Sequence, residues 1–426
     1  MSHARVVRAK STSNATARLL DYRCFEGTML TEIKSIEGIR VAAVNVGIKQ
    51  TERPDLCLIE ARAGSTCASM FTQNKFAAAP VIIAKDHMGA EPNTRYLLIN
   101  SGNANCGTGT AGVKDATALC EKVAVAAGCS AEAVLPYSTG VIGERLPVGK
   151  LAKKVDALFS GLSDDGWTHG ATAIMTTDTR PKLVSSEFEL NGHRHYITGM
   201  AKGSGMIKPN MATMLSFIAT DASVPTEDLY KALRQAVMKT FNRITIDGDT
   251  STNDAVTLFA TGARGEAIGE AHPEWQKFCH AIYEVCRELA KELVADGEGA
   301  TKLVEIEVSS DDAQVSEAIG YTVAESPLVK TALFASDPNW GRILAAIGRA
   351  PVEGFAIDEV GIFLDDYQIV AHGSVVLDYS EDIAAKIMAQ KEIKIVVKIG
   401  TATEVCSILT SDLSYDYVRI NAEYRS

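Results

Sequence analysis

No stretch of this 426-residue chain approaches the ~20 consecutive apolar residues that a membrane-spanning helix needs. It has no basic block either. Asp and Glu number 53 against 42 Lys and Arg, and the net charge of -11 is a poor balance for holding nucleic acid or an anionic membrane. There is no Cys-x-x-Cys pair. The nine cysteines are odd in number and several sit in apolar runs, so they read as reduced thiols of a cytoplasmic protein, not as a disulfide frame. Internal repeats, heptads and low-complexity tracts are missing too. The N-terminus lacks the apolar core of a secretory signal. Arg5, Arg8, Lys10 and Arg18 precede its first acid, Asp21, which leaves two readings open: a frayed tail or an organelle transit segment.

What the chain does carry is an irregular alternation of strands and helices. Period-2 or short apolar runs predict strands at 41–48, 56–61, 67–71, 81–84 and 96–100, and later at 303–308, 361–364, 369–371, 393–399 and 404–409. Helical spacing predicts helices over 114–127, 148–162, 226–241, 273–295 and 381–390, with Thr226 as an N-cap. Asn191-Gly192, between alternating residues of 187–198, is a strong hairpin signal. Local strand pairing with irregular helices points to an α/β fold, a layered sandwich with mixed sheets, and away from one doubly wound parallel sheet.

The segment from Lys202 to Leu215 is the most informative. A Gly-rich approach leads to the small residue Ala212, and Thr213 then opens an apolar strand-like run. Glycines can hold a peptide in a strained geometry. The Thr213 hydroxyl could attack the Ala212 carbonyl, and hydrolysis of the resulting ester would leave Thr213 as a nucleophile with its own α-amine as base. Such an amine titrates near ~7.7–8.0, close to working pH. Spacing alone also allows, and more readily, a Gly/Pro loop that enters an ordinary buried strand.

Pro209 to Leu215, Pro-Asn-Met-Ala-Thr-Met-Leu, is similar to the self-cleavage site of the ornithine acetyltransferase family, the bifunctional glutamate N-acetyltransferases of arginine biosynthesis. The resemblance runs from about Gly38 to Ser426 and includes Asn100–Asn105, Phe71–Asn74 and Ser336–Arg342. It implies an N-terminal-nucleophile-type arrangement, cut between Ala212 and Thr213 into an α chain, 1–212, and a β chain, 213–426. The family pairs these fragments as an α2β2 heterotetramer. It also implies acetyl transfer from N-acetylornithine to glutamate through an acetyl-threonine, with no cofactor. Some members accept acetyl-CoA as donor, which the sequence leaves open.

Carried over residue by residue, Thr139 and Gly140 become the oxyanion hole. Thr176, Lys202, Thr213, Glu298, Asn421 and Ser426 become substrate contacts, with Thr177 the near competitor of Thr176. The residue chemistry fits these roles: a fixed ammonium at Lys202 suits a carboxylate, and Glu298 between two glycines suits an amine. Cys106 and Tyr415 depart from the family's pattern, which has a small residue and often His there. Two alternatives stand beside this reading: an N-terminal-Thr amidohydrolase or aminopeptidase, and an uncleaved metabolite-binding protein.

Other motifs carry less. Gly107-x-Gly109-x-x-Gly112 has the letters of a dinucleotide fingerprint, but six residues separate it from the preceding strand. Asp247–Asp254 lacks the Gly and Glu of a calcium loop and reads as structural. His193 and His195 read as surface or hairpin residues, and Cys279 and Cys286 as core, so no metal is expected.

Overall fold

In a computed structural model, the structure describes residues 28–49, 51–90, 93–208, 214–353, 355–401 and 404–423. Ala212, Thr213 and Ser426 lie outside the described residues.

Two sheets face each other. The first has six strands in the order Thr28–Leu30, Lys182–Leu190, His193–Lys202, Leu215–Thr220, Ala255–Ala260 and Thr66–Phe71. Leu215–Thr220 and Ala255–Ala260 run parallel, and their other neighbours antiparallel. The second sheet orders Ile39–Val44, Leu56–Ala61, Tyr96–Asn103 and Val134–Val141, with only the last pair parallel.

The strands are apolar on both faces because both faces are covered. Along Leu56–Ile59, successive side chains alternate between two cores. Cys57 and Ile59 point toward the first sheet, and Leu56 and Leu58 toward the helices outside. Between the sheets the Tyr137 and Phe217 rings meet edge-on at 5.0 Å. Outside the second sheet lies the helix Gly109–Ala127, and outside the first lie Thr226–Lys239 and Trp275–Ala295. The layers are therefore helix, sheet, sheet, helix.

A third, seven-stranded mixed sheet is built mostly from residues 303–411 and carries the helices Ala313–Ala324, Pro327–Ala335, Trp340–Gly348 and Glu381–Met388. Among the described residues, no helix is long and apolar enough to cross a membrane.

Many local expectations hold. Asn191 and Gly192 both have positive φ, 52° and 74°, as a type I′ hairpin turn requires. The helix expected over 273–295 runs Trp275–Ala295, and its apolar stripe is buried. Others need correction. Residues 81–84 lie inside the helix Ala79–Ala90, because four apolar residues carry no usable period and Pro80 is tolerated in a first turn. The helix expected over 148–162 is two, Val148–Ala152 and Val155–Ser160. Thr226 does not cap its helix, since Pro225 takes that position. His193 is exposed at the hairpin, but His195 is buried, its Nδ1 3.1 Å from Asp221 Oδ1.

The helices at 167–174, 313–324, 327–335 and 340–348 were not anticipated. They are short or rich in small residues, although Ser326-Pro327 is a legible start signal. Within Ser336–Arg342, Asn339 caps Trp340–Gly348 by accepting the Arg342 amide at 3.2 Å.

The outer core of the first sheet rests on the helix Trp275–Ala295, where Leu289 is fully buried. Leu289→Ala is expected to cost about 2–5 kcal/mol. In chemical denaturation the midpoint should fall with an unchanged slope.

Candidate functional site

The ends of the two sheets converge on one cavity of about 270 Å³. Thr139, Gly140, Thr176, Lys202, Glu298 and Asn421 all line it, although they are spread over nearly three hundred positions of chain. These are all of the sequence-predicted site residues that the structure describes. Thr177 lines the cavity as well. So does Met214, the residue that follows Thr213.

Thr139 and Gly140 come from the end of Val134–Val141, where the ladder to Tyr96–Asn103 shifts register. Gly140 has φ +129°, and a Cβ there would sit 2.3 Å from the Gly102 carbonyl carbon, so no other residue fits without moving the neighbouring strand. Polar side chains secure the turn. The Ser138 hydroxyl donates to Asn100 Oδ1 at 2.6 Å, and Asn253 Nδ2 donates to the carbonyls of Ala104 at 2.6 Å and Ser138 at 2.9 Å. The nearby glycine triplet serves local packing: Asn105 Nδ2 donates to the Gly112 carbonyl at 2.9 Å and Asn105 Oδ1 accepts from Thr108 at 2.9 Å.

Lys202 ends the strand His193–Lys202. Its ammonium is buried and donates to Thr139 Oγ1 at 3.1 Å. That bond uses a lone pair of the hydroxyl and leaves its proton to be donated into the cavity. Burial lowers the Lys202 pKa, while the charges of Asp178 and Asp254 act against this.

Asp178 is the organiser of these groups. Its Oδ1 accepts from Lys182 Nζ at 2.6 Å and from the Gly203 amide at 2.7 Å, and its Oδ2 accepts the Thr176 amide at 2.8 Å. One carboxylate thus fixes both Thr176 and the backbone beside Lys202. Lys182 is held from its other side by Asp296 at 2.5 Å. Burial alone would push the Asp178 carboxyl up. The ammonium groups of Lys202 and Lys182, with the hydrogen bonds from Lys182 and Gly203, outweigh it and hold the carboxyl at about 2.

Glu298 follows the helix Trp275–Ala295. Its amide donates to the Ser204 carbonyl at 2.7 Å, and its Oε2 accepts from Asn421 Nδ2 at 2.8 Å. A Cβ on Gly205 would lie 2.4 Å from Oε2, so Gly205 is what lets the carboxylate in. The segment before Thr213 is also anchored: Asp247 accepts the amides of Met206 at 2.6 Å and Ile207 at 2.8 Å. Beyond Thr213, the Met214 carbonyl accepts the Ala255 amide at 3.0 Å.

The cavity also shows Thr252, Asn253 and Asp254, which sequence reading had placed in a structural block. The loop bearing them is braced by Thr72, whose hydroxyl donates to the Ser251 carbonyl at 2.8 Å, and by Asn74, which donates to the Thr250 carbonyl at 2.9 Å. A hydroxyl and a backbone amide at a strand end, a buried ammonium and a carboxylate thus line one cavity.

The chain is similar to known proteins along most of its length. The profile of the ArgJ family matches residues 40–426. The chain is 51% identical over 399 residues to the arginine biosynthesis bifunctional protein ArgJ of Methylococcus capsulatus, covering 92% of this chain and 96% of that one. It is 47% identical over 400 residues to the protein of the same name from Pseudomonas fluorescens, covering 93% and 98%. Among solved structures, ornithine acetyltransferase complexed with ornithine from Mycobacterium tuberculosis is 35% identical over 44% of this chain and 100% of that one, with a TM-score of 0.41.

The Asp178 carboxyl has a lower pKa folded than its ordinary 3.8. The stability it contributes is therefore complete above about 3.8 and is lost as the pH falls through about 2. Asp178→Asn is expected to flatten that acid limb and to cost about 3–5 kcal/mol at pH 7, as for a broken buried pair. Denaturant unfolding at a series of pH values reads both effects.

Proposed function

Since this chain belongs to the ArgJ family, we propose that it catalyses acetyl transfer from N2-acetylornithine to glutamate, yielding ornithine and N-acetylglutamate, in arginine biosynthesis. The observation that carries this reading is the meeting of Thr139, Gly140, Thr176, Lys202, Glu298 and Asn421 around one cavity that Met214 also reaches.

In this reading the chain is first cut between Ala212 and Thr213, giving an α fragment, 1–212, and a β fragment, 213–426. Thr213 Oγ then attacks the acetyl carbonyl of N2-acetylornithine, and its α-amine takes the hydroxyl proton. The Thr139 hydroxyl and the Gly140 amide receive the developing oxyanion. The Lys202 bond to Thr139 supports this role, because a hydroxyl that accepts from an ammonium is a stronger donor.

The amide C–N bond breaks, ornithine leaves with the proton held on the Thr213 amine, and an acetyl ester remains. The glutamate amine attacks the ester carbon, its proton passes through the Thr213 amine to Oγ as the C–O bond breaks, and N-acetylglutamate departs. Glu298 and Asn421 receive the side-chain ammonium of ornithine, Lys202 and Thr176 its carboxylate end, and Ser426 completes the substrate contacts. No cofactor takes part, and acetyl-CoA is a second donor to be tested. The enzyme works in the cytoplasm as an assembly of two α and two β fragments.

Intact mass spectrometry tests the scheme. The 45.5 kDa chain is expected as two fragments of about half that mass. Brief incubation with N-acetylornithine should add about 42 Da, one acetyl group, to the fragment that begins at Thr213. A single full-length species in active protein would overturn the mechanism, as would a Thr213→Ala variant with undiminished transfer. Release of free acetate without glutamate would instead indicate a hydrolase.

A further inference from the structure

One partly buried lysine outside the cavity touches two of its walls from behind. Lys49 lies in the loop that leads into Leu56–Ala61. The fully buried Asp55 shapes that loop by accepting the amides of Val46 at 2.6 Å, Ile48 at 2.6 Å and Lys49 at 3.2 Å. Asn45 ties it further, donating to the carbonyls of Thr51 at 3.1 Å and Arg53 at 2.9 Å.

From this platform the stem of Lys49 runs against Gly102. A Cβ on Gly102 would come within 2.9 Å of Lys49 Cγ, and Gly102 is the residue on which Gly140 packs. The ammonium then reaches the end of the helix Trp167–Ile174, donating to the Met175 carbonyl at 3.1 Å and approaching the Ala173 carbonyl at 3.5 Å. A cation is favoured there, where a helix leaves its last carbonyls unpaired. Ser101, next to Gly102, donates its hydroxyl to the same Ala173 carbonyl at 2.5 Å.

The Met175 carbonyl and the Thr176 amide belong to one planar peptide group. Lys49 holds its oxygen, and Asp178 Oδ2 holds its N–H at 2.8 Å. A peptide gripped at both ends by opposite charges is not free to turn, and its plane sets the direction from which Thr176 meets the cavity. We propose that Lys49 is a positioning residue for the donor substrate: its ammonium fixes the Met175–Thr176 peptide and so places Thr176 against the substrate carboxylate, an inference that rests on the reading of the preceding subsection.

Burial pushes the Lys49 ammonium down to about 8, with the charges of Asp55 and Asp178 acting against that fall and those of Arg53 and Lys202 adding to it. Asp55 and Arg53 face it from its own loop, Asp178 from the loop after the helix Trp167–Ile174, and Lys202 from the strand His193–Lys202. Lys49 therefore loses its charge as the pH rises through about 8, and a neutral amine is a weaker donor to a carbonyl.

The test measures kcat and KM for N2-acetylornithine at saturating glutamate in wild type, Lys49→Met and Lys49→Arg. Methionine keeps the stem on Gly102 and removes the charged head. Its KM should rise about tenfold, the worth of one hydrogen bond from a charged group. Its kcat should stay within about threefold of wild type, as for an interaction made equally in ground and transition states. Lys49→Arg, which still carries a charged donor, should recover most of the lost KM. A thermal scan reports whether each variant folds. Should Lys49→Met not fold, pH decides. From about pH 7 to about 9.5 the wild-type KM should rise several-fold more than that of Lys49→Arg, whose charge persists over that range. Wild-type KM in folded Lys49→Met, a KM in Lys49→Arg no better than in Lys49→Met, or parallel pH profiles overturn the proposal and leave acetyl transfer standing. A wild-type protein that makes no N-acetylglutamate refutes the underlying reading itself.

Discussion

A single buried carboxylate, Asp178, holds the site in register. It ties Thr176 from one loop to Gly203 from another and neutralises Lys182 beneath them. An ammonium and a carboxylate at this depth persist only if each is paired and hydrogen-bonded. Asp178 meets that condition three times over, with Asp296 taking the far side of Lys182. The arrangement leaves Lys202 free to face the cavity and Thr139, with no competing salt bridge of its own among the described residues. The positive charge of the site is thus held by structure before any substrate arrives, which is the preorganisation that electrostatic catalysis depends on.

Around that centre the geometry is set by close backbone approach. Gly140 packs directly on the Gly102–Asn103 turn, and Gly205 admits the Glu298 carboxylate. Asn253 hangs from the other sheet and donates into the turn between them, so both sheets contribute to one wall. These contacts explain why the layers matter to chemistry. The parallel ends of Tyr96–Asn103 and Val134–Val141 supply the donor turn, and Lys202 is delivered at the end of a strand of the facing sheet.

Much of this was legible in the sequence, and for physical reasons. Asn191-Gly192 is a turn that few other residue pairs can make. The stripe of Phe278, Ile282, Val285 and Leu289 repeats often enough to declare a helix. The cavity residues were found through their family motif, not through their chemistry. Thr139, Thr176 and Lys202 look alike whether they line a cavity or a surface turn. Nothing in the sequence sets the carboxylates Asp178, Asp247 and Asp254 apart, because sequence does not say which acid is buried. Both Asp178 and Asp254 are buried, and their partners separate them: Asp178 is caught between lysines, while Asp254 Oδ2 has no hydrogen-bond partner among the described residues. The strand expected at 81–84 failed for a related reason, since a short apolar run is compatible with either period.

The strand order of the first sheet has one more implication. Leu215–Thr220 and Ala255–Ala260 lie in its middle, flanked by His193–Lys202 on one side and Thr66–Phe71 on the other. A break just ahead of Leu215 would put the inner pair on one polypeptide and the outer strands on another. The two pieces would be woven through each other and could not trade places with those of a neighbouring molecule. Coming apart would mean tearing out the centre of the sheet, so each enzyme would keep for life the halves it was born with.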